Sequence, residues 1–201
     1  YVITAKTKIL DLALSGRLTS DTSHYGKKNV VALKDIVQIR NGYAFKSDLY
    51  QDYGIRIIRI SNVQDGFISD ESPKYYYSNY LGELNDYMLR EGDLLMSLTG
   101  NVGRVGFLPV KLLPAALNQR VACIRQISED IDIKYLFYIF KSQLFLSQCV
   151  ASGKGVAQQN ISTEWLKRFE ISIPPIEEQR NIVKNISTLY SLLDRILSEN
   201  L

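Results

Sequence analysis

At 201 residues, 46 % hydrophobic and 22 % charged, the chain can hold one substantial core, and its ordinary composition excludes disorder or low complexity as its theme. A net charge of +3 does not by itself require a polyanionic partner, and no run approaches the ~20 apolar residues of a membrane span. With His24 as the one histidine and Cys123 and Cys149 in no metal-ligand spacing, a zinc site is not expected; two buried free thiols in a reducing cytoplasm are.

In chain order, "AKTKILDLALSGRLT" (5–19) reads as the last turns of a helix. Ile9, Leu10, Leu12, Ala13 and Leu14 supply its apolar side, and Gly16 followed by Arg17 suits a left-handed stop. The polar stretch "SDTSHYGKKN" (20–29) has linker composition. "GIRIIRIS" (54–61) has strand composition, and "DLLMSLTG", "RVGFLPV" and "RVACIRQI" are further short strands divided by Gly, Pro and Asn. "IKYLFYIFKSQLFLSQCV" (133–150) is expected to form one long buried helix, and "STEWLKRF" (162–169) a short one capped by the Ser162 hydroxyl. Strands and helices without a βαβ rhythm predict an α+β fold.

A β-like stretch then runs into Pro174-Pro175. The first proline disfavours helix at Ile173, and the second suits a first helical residue. Glu177 and Glu178 follow in the first turn, where the helix dipole favours acids. Ile182, Ile186, Leu189, Leu193 and Ile196 recur at steps of four and three, a period-3.5 seam that predicts a rod packed lengthwise on another helix.

Chemistry-bearing patterns are thin. Ile173-Pro174-Pro175-Ile176 lacks the polar residue and the aromatic of the Asn-Pro-Pro-aromatic loop with which DNA amino-methyltransferases grip an amine. "TGNVGRVG" (99–106) misses dinucleotide-loop spacing, "SGKG" (152–155) lacks the phosphate-loop pattern, and His24 lies in the linker, away from any nucleophile. No catalytic role is expected.

Contact loops fit better. "RNGYAFKS" (40–47), "LTGNVGR" (98–104), "LNQRVACI" (117–124) and "SGKGVAQQNIS" (152–162) combine glycine with Asn, Gln, Arg, Lys and Thr. Lysine binds phosphate, and Gln or Asn reads adenine through a bidentate pair. The candidate DNA-side residues are Lys46, Thr99, Asn101, Arg104, Arg120, Lys154, Gln158, Gln159 and Asn160. No acid occurs between Asp93 and Glu129, where Arg104, Lys111, Arg120 and Arg125 fall, nor between Asp132 and Glu164. Such asymmetry suits a polyanion, and uneven scatter of solvated charges explains it equally well. Four tyrosines in "KYYYSNY" (74–80) are expected to pack rather than stack on bases, and Trp165 to anchor the core.

"LKDIVQIRNGYAFKSDLYQDYGIRIIRISNVQDGFI" (33–68) resembles the opening of a target recognition domain in type I restriction–modification specificity subunits. "LREGDLLMSLTGNVGRVG" (89–106), "NQRVACIRQ" (118–126) and "SGKGVAQQNISTEWLKRFEISIPPIEEQRNIV" (152–183) follow in the family's order, and "ILDLALSGRLT" (9–19) resembles the end of one of its conserved helices. The resemblance implies a spacer-helix end at 1–19, a linker at 20–32, a recognition domain at 33–174 and a second spacer helix at 175–201, the two helices antiparallel and coiled-coil-like. It implies a non-catalytic, cytoplasmic subunit that reads one half of a bipartite site on double-stranded DNA. Methyltransferase subunits would dock on the helices, and a restriction/translocase subunit would then join. S-adenosylmethionine, ATP and Mg would belong to those partners, with no cofactor in this chain. The family's subunits carry two recognition domains and this chain has the residues of one, so a second domain or a second copy is implied. The alternatives are the specificity part of a fused restriction enzyme and a protein–protein adaptor that contacts no DNA.

Overall fold

The first helix, α1 (Val2–Leu14), stops where its sequence says it should. Gly16 adopts φ +79°, its N–H donates to the Ala13 carbonyl at 3.1 Å, and the Arg17 N–H reaches back to Leu12 at 2.8 Å. This pair of bonds satisfies carbonyls that the last turn leaves open, at a φ that L side chains rarely adopt. The computed structural model describes residues 2–18, 29–77, 79, 81–152 and 160–199. After α1 come β1 (Asn29–Ala32), α2 (Leu33–Ile36), β2 (Val37–Asn41), β3 (Ile55–Ile58), β4 (Tyr75–Tyr76), α3 (Leu81–Leu84), β5 (Leu94–Ser97), β6 (Val105–Phe107), β7 (Ala115–Leu117) and β8 (Val121–Gln126). The chain continues through α4 (Ile133–Lys141), α5 (Gln143–Ser152), α6 (Thr163–Arg168), β9 (Glu170–Ile173) and α7 (Ile176–Ser198).

The mixed α+β class follows from a four-stranded antiparallel sheet, β2-β8-β5-β6, a three-stranded sheet, β4-β3-β7, and the pair β1-β9. Alternation along the strands builds the layers. On β5, Leu94 and Met96 face a core shared with α1, α4, α5, α6 and α7, while Leu95 faces the second sheet. On β8, Ala122 and Ile124 point to the helices and Val121 and Cys123 to the other side. On β3, Ile58 joins that inter-sheet core, whereas Ile55 and Ile57 pack beneath Phe45 and Tyr76. The result is helices, sheet, sheet and an aromatic cover, each layer positioned by a period of two.

Four local expectations change. Residues 29–32, placed in the linker, form β1 against β9, an antiparallel register that pairs Asn29 with Ile173. The long helix at 133–150 is broken. Ser142 takes φ −71°, ψ 150°, its hydroxyl donates to Ile139 at 2.6 Å and accepts from the Phe145 N–H at 3.3 Å, so one serine ends α4 and starts α5. Pro175 is the cap rather than the first residue of α7. The apolar seam, finally, is divided. Ile182 and Ile186 are buried in the chain's own core, Leu189 and Leu193 are half-buried, and Ile196 is 54 % exposed. The root of α7 packs on α4, with Tyr138 and Ser187 hydroxyls 3.2 Å apart, and farther along it meets α1, where Tyr190 donates to the Lys6 carbonyl at 2.9 Å and Asp194 pairs with Lys6 at 2.6 Å.

Other signals hold. Ser162 accepts from the Trp165 N–H at 3.0 Å and opens α6, and Trp165 packs on Phe169 and Phe145 with ring centroids 5.2 and 6.2 Å away. Among the described residues no helix is long and apolar enough to cross a membrane.

Cys123 and Cys149 are free and buried, and burial pushes each thiol up to about 12. In the unfolded chain both ionise near 9.0, so between there and about 12 the folded protein holds more protons. Stability contributed by the neutral thiols is therefore complete below about 9 and declines as pH rises toward about 12. Urea titrations at about pH 7 and about pH 10 should give the smaller unfolding free energy at the higher pH, and the difference should shrink in Cys149→Ala. Equal free energies at both pH values would contradict this.

Candidate nucleic-acid interface

The β5–β6 loop is closed from within by Ser97, which is 1 % exposed. Its hydroxyl donates to the Asn101 carbonyl and accepts from the Arg104 N–H at 3.1 Å, while the Ser97 and Arg104 backbones bond across the hairpin at 2.9 Å. A buried hydroxyl satisfied on both counts holds residues 98–104 in one conformation. The Asn101 side chain is left outside, in solvent.

Two other segments attach to this loop, and a third joins through one of them. Thr99 bridges Asn160 as an isolated antiparallel pair, its hydroxyl donates to Asn160 Oδ1 at 2.9 Å, and the Ile161 N–H donates to the Leu98 carbonyl at 2.9 Å. With Oδ1 taken, the Asn160 amide still has donors to offer. On the other side, the Leu98 N–H donates to the Arg120 carbonyl at 3.0 Å. Arg120 sits in a turn closed by Asn118, whose Oδ1 accepts the Arg120 N–H at 3.1 Å. That turn is in turn sewn to the segment after β2: Tyr43 bridges Asn118, the Tyr43 N–H donates to Leu117 at 2.8 Å and the Gln119 N–H to Tyr43 at 2.9 Å. Residues 41–43, 117–120, 98–104 and 160–161 thus lie side by side on one edge of the sheets.

Of the candidate residues, Thr99 and Asn160 touch, and Arg120 adjoins them through the backbone. Arg104 is half-buried and donates to Gln64 Oε1 at 3.0 Å, which leaves only part of its guanidinium for a ligand. Lys46 is exposed and stands apart; its peptide is held by Tyr76, whose hydroxyl accepts from the Lys46 N–H at 2.8 Å and donates to the Lys46 carbonyl at 3.0 Å. Lys154, Gln158 and Gln159 lie outside the described residues, as does His24. Among the described residues the side chains of Lys46, Asn101 and Arg120 make no hydrogen bond or ion pair, so their polar groups face solvent uncompensated. Several acids are neutralised by partners: Asp65 by Lys141 at 3.0 Å, Asp70 by Arg56, and Asp93 by Arg125 at 2.6 Å. A cleft of about 520 Å³ separates the loop from the helices, with Asn101 and Arg104 on one wall and Lys6 and Tyr190 on the other.

The tyrosines divide. Tyr76 is 2 % exposed and packs on Phe45, as expected of this cluster, but Tyr77 is 41 % exposed and meets Tyr53, 69 % exposed, edge to face at 6.1 Å. Sequence inspection passed over Gln64 and Asn118, whose side chains position Arg104 and Arg120; the Asn-Gln-Arg run of the turn was the available signal. Among the described residues no group of three or more His, Cys, Asp or Glu gathers as a metal site.

A family model described as type I restriction modification DNA specificity domain matches residues 25–200. The chain is 30 % identical over 169 residues to the type I restriction enzyme MjaVIII specificity subunit of Methanocaldococcus jannaschii, covering 82 % of this chain and 40 % of that one. It is 28 % identical over 200 residues to the type I restriction enzyme EcoKI specificity subunit of Escherichia coli K12, covering 94 % and 42 %. The crystal structure of the HsdS subunit from Thermoanaerobacter tengcongensis superposes with a TM-score of 0.64 at 19 % identity, covering 97 % of this chain and 45 % of that one, a likeness of fold. The chain therefore spans less than half the length of these relatives.

Proposed function

The chain belongs to the family of type I restriction modification DNA specificity domains, and on that premise we propose that it is one DNA-reading unit of a type I restriction–modification specificity subunit. The observation that carries this reading is the edge where Thr99 meets Asn160 and where Arg120 and Asn101 adjoin them, on three chain segments, with polar groups turned to solvent. Lysine and arginine position the duplex through phosphates, and the amide and hydroxyl groups read base edges. The part from α2 to β9, with β1 completing the fold, is the reader of one half of a bipartite site; α1 and α7 belong to antiparallel spacer helices. The helices dock methyltransferase subunits, and a restriction/translocase subunit joins them. This chain chooses the site and performs no chemistry. S-adenosylmethionine, ATP and Mg serve the partners, in the cytoplasm. A second recognition domain or a second copy of this chain reads the other half; a two-fold pair would require a palindromic bipartite site.

Methylome sequencing of cells with and without this subunit tests the reading, because it yields the motif, its gap and its symmetry together. Unaltered adenine methylation would overturn it. Within that motif, Gln159→Ala should change base preference by ~1–3 kcal/mol, whereas Lys154→Ala should weaken cognate and random duplexes alike and flatten the salt dependence. Equal effects of both variants on both duplexes would remove the base-reading role from Gln159.

A further inference from the structure

The joint between β9 and α7 holds a side chain that no DNA contact explains. Gln179, in the first turns of α7, is 0 % exposed. Its Oε1 accepts the Asp132 N–H at 2.9 Å, and its Nε2 donates to the Asp130 carbonyl at 2.7 Å and to the Pro174 carbonyl at 2.8 Å. All three partners are backbone groups, from the segment that precedes α4 and from the end of β9. The start of α7 does not depend on them, because the Glu178 and Gln179 N–H groups already bond the Pro175 carbonyl at 2.9 and 3.1 Å. Only the carboxamides offer two N–H donors and a carbonyl acceptor on one planar group, and asparagine is one methylene shorter. Asp132, whose N–H it receives, caps α4 by accepting from the Lys134 and Tyr135 N–H groups, so the starts of α4 and α7 are coupled through one amide.

Such a clamp fixes an angle. At its 23 residues α7 is about 34 Å long, so a rotation of about 6° at its root moves the far end by one base-pair step of about 3.4 Å. Two proline rings, one buried glutamine and the Ile182–Ile186 contact with the core oppose that rotation. We propose that Gln179 is a positioning residue that sets the distance between the two half-sites, by locking the spacer helix to the reading domain. The proposal rests on the reading above.

The test uses the full-length subunit assembled with its methyltransferase partners, and duplexes that carry the native half-sites at the native gap or one base pair longer or shorter. Gln179→Leu removes all three bonds; Gln179→Glu keeps the shape and the acceptor and loses the donors. Ile124→Val, a core change remote from the joint, serves as the stability control. Both Gln179 variants should lower the preference for the native gap about tenfold, the equivalent of one or two lost hydrogen bonds. The bases preferred within each half should stay the same, and the control should keep the native gap preference. Should Gln179→Leu fail to assemble, Gln179→Glu decides. An unchanged gap preference in a variant that still methylates makes Gln179 merely structural and overturns the proposal. A wild-type complex without any bipartite motif overturns the functional reading, and the proposal with it.

Discussion

Replacing Asp93 by alanine should cost about 3 kcal/mol of stability and lower the melting temperature by roughly 10 °C. The Asp93 side chain is 4 % exposed and that of Arg125 is 17 %. Arg125 Nε and Nη2 donate to the two carboxylate oxygens at 2.6 and 2.7 Å, and Nη2 also reaches the Met88 carbonyl at 3.2 Å. Asp93 further accepts the Arg90 N–H at 2.8 Å, so one carboxylate ties the entry of β5 to β8 and to the turn before it. The pair does not have to be worth that much against an apolar isostere. Removal of one member strands a guanidinium in a site with little water, and that desolvation sets the cost. Arg125 is held above its ordinary range, first by its hydrogen bond to Asp93, which agrees with a carboxylate stabilising the cation. Asp93→Asn keeps an acceptor and should lose less. By contrast, loss of the Glu177–Arg180 pair, 75 % and 58 % exposed, should leave the melting temperature unmoved. Chemical denaturation of the variants checks the order; an Asp93→Ala loss no larger than that of the exposed pair would refute it.

Gly42→Ala should unfasten the candidate interface. A Cβ at this position would overlap the Asn118 carbonyl carbon and oxygen and the Leu117 carbonyl oxygen, all backbone atoms that cannot swing aside. The two bonds between Tyr43 and the 117–119 segment, at 2.8 and 2.9 Å, exist because the chains approach this closely. An added methyl must part them or shift the Arg120 turn; overpacking of this kind costs about 1–3 kcal/mol. Because the Arg120 carbonyl holds the Leu98 N–H, the displacement reaches the loop of Thr99 and Asn101. The expected outcome is a folded protein whose assembled complex loses about tenfold or more of its preference for cognate over random duplex, a little over 1 kcal/mol. Unchanged discrimination, with a shift in thermal stability alone, would show that the turn and the loop act independently of DNA reading.

Element boundaries set by one residue were legible. Gly16 ends α1, Ser162 starts α6 and Pro174-Pro175 marks the start of α7, because each acts through backbone groups a few residues away. The apolar runs of β3, β5 and β8 were legible for the same local reason. β7, Ala115–Leu117, was not: alanine carries little strand preference, and its pairing with β3 joins residues from opposite ends of a long excursion. The break at Ser142 escaped notice because the apolar pattern continues across it, and a buried cap resembles any other serine.

The sequence by itself determined the α+β class, the rod that follows the prolines and, through its ordered motifs, the family. All of these rest on short-range backbone chemistry or on residue order. Only the tertiary structure decided that Thr99 meets Asn160 across 61 positions, that Asp93 faces Arg125, and that Gln179 is a clamp rather than one polar residue among many on a helix. Those depend on which distant backbone and side-chain groups share a buried space. Only the fold removes such groups from water, and that removal is what makes a specific partner count.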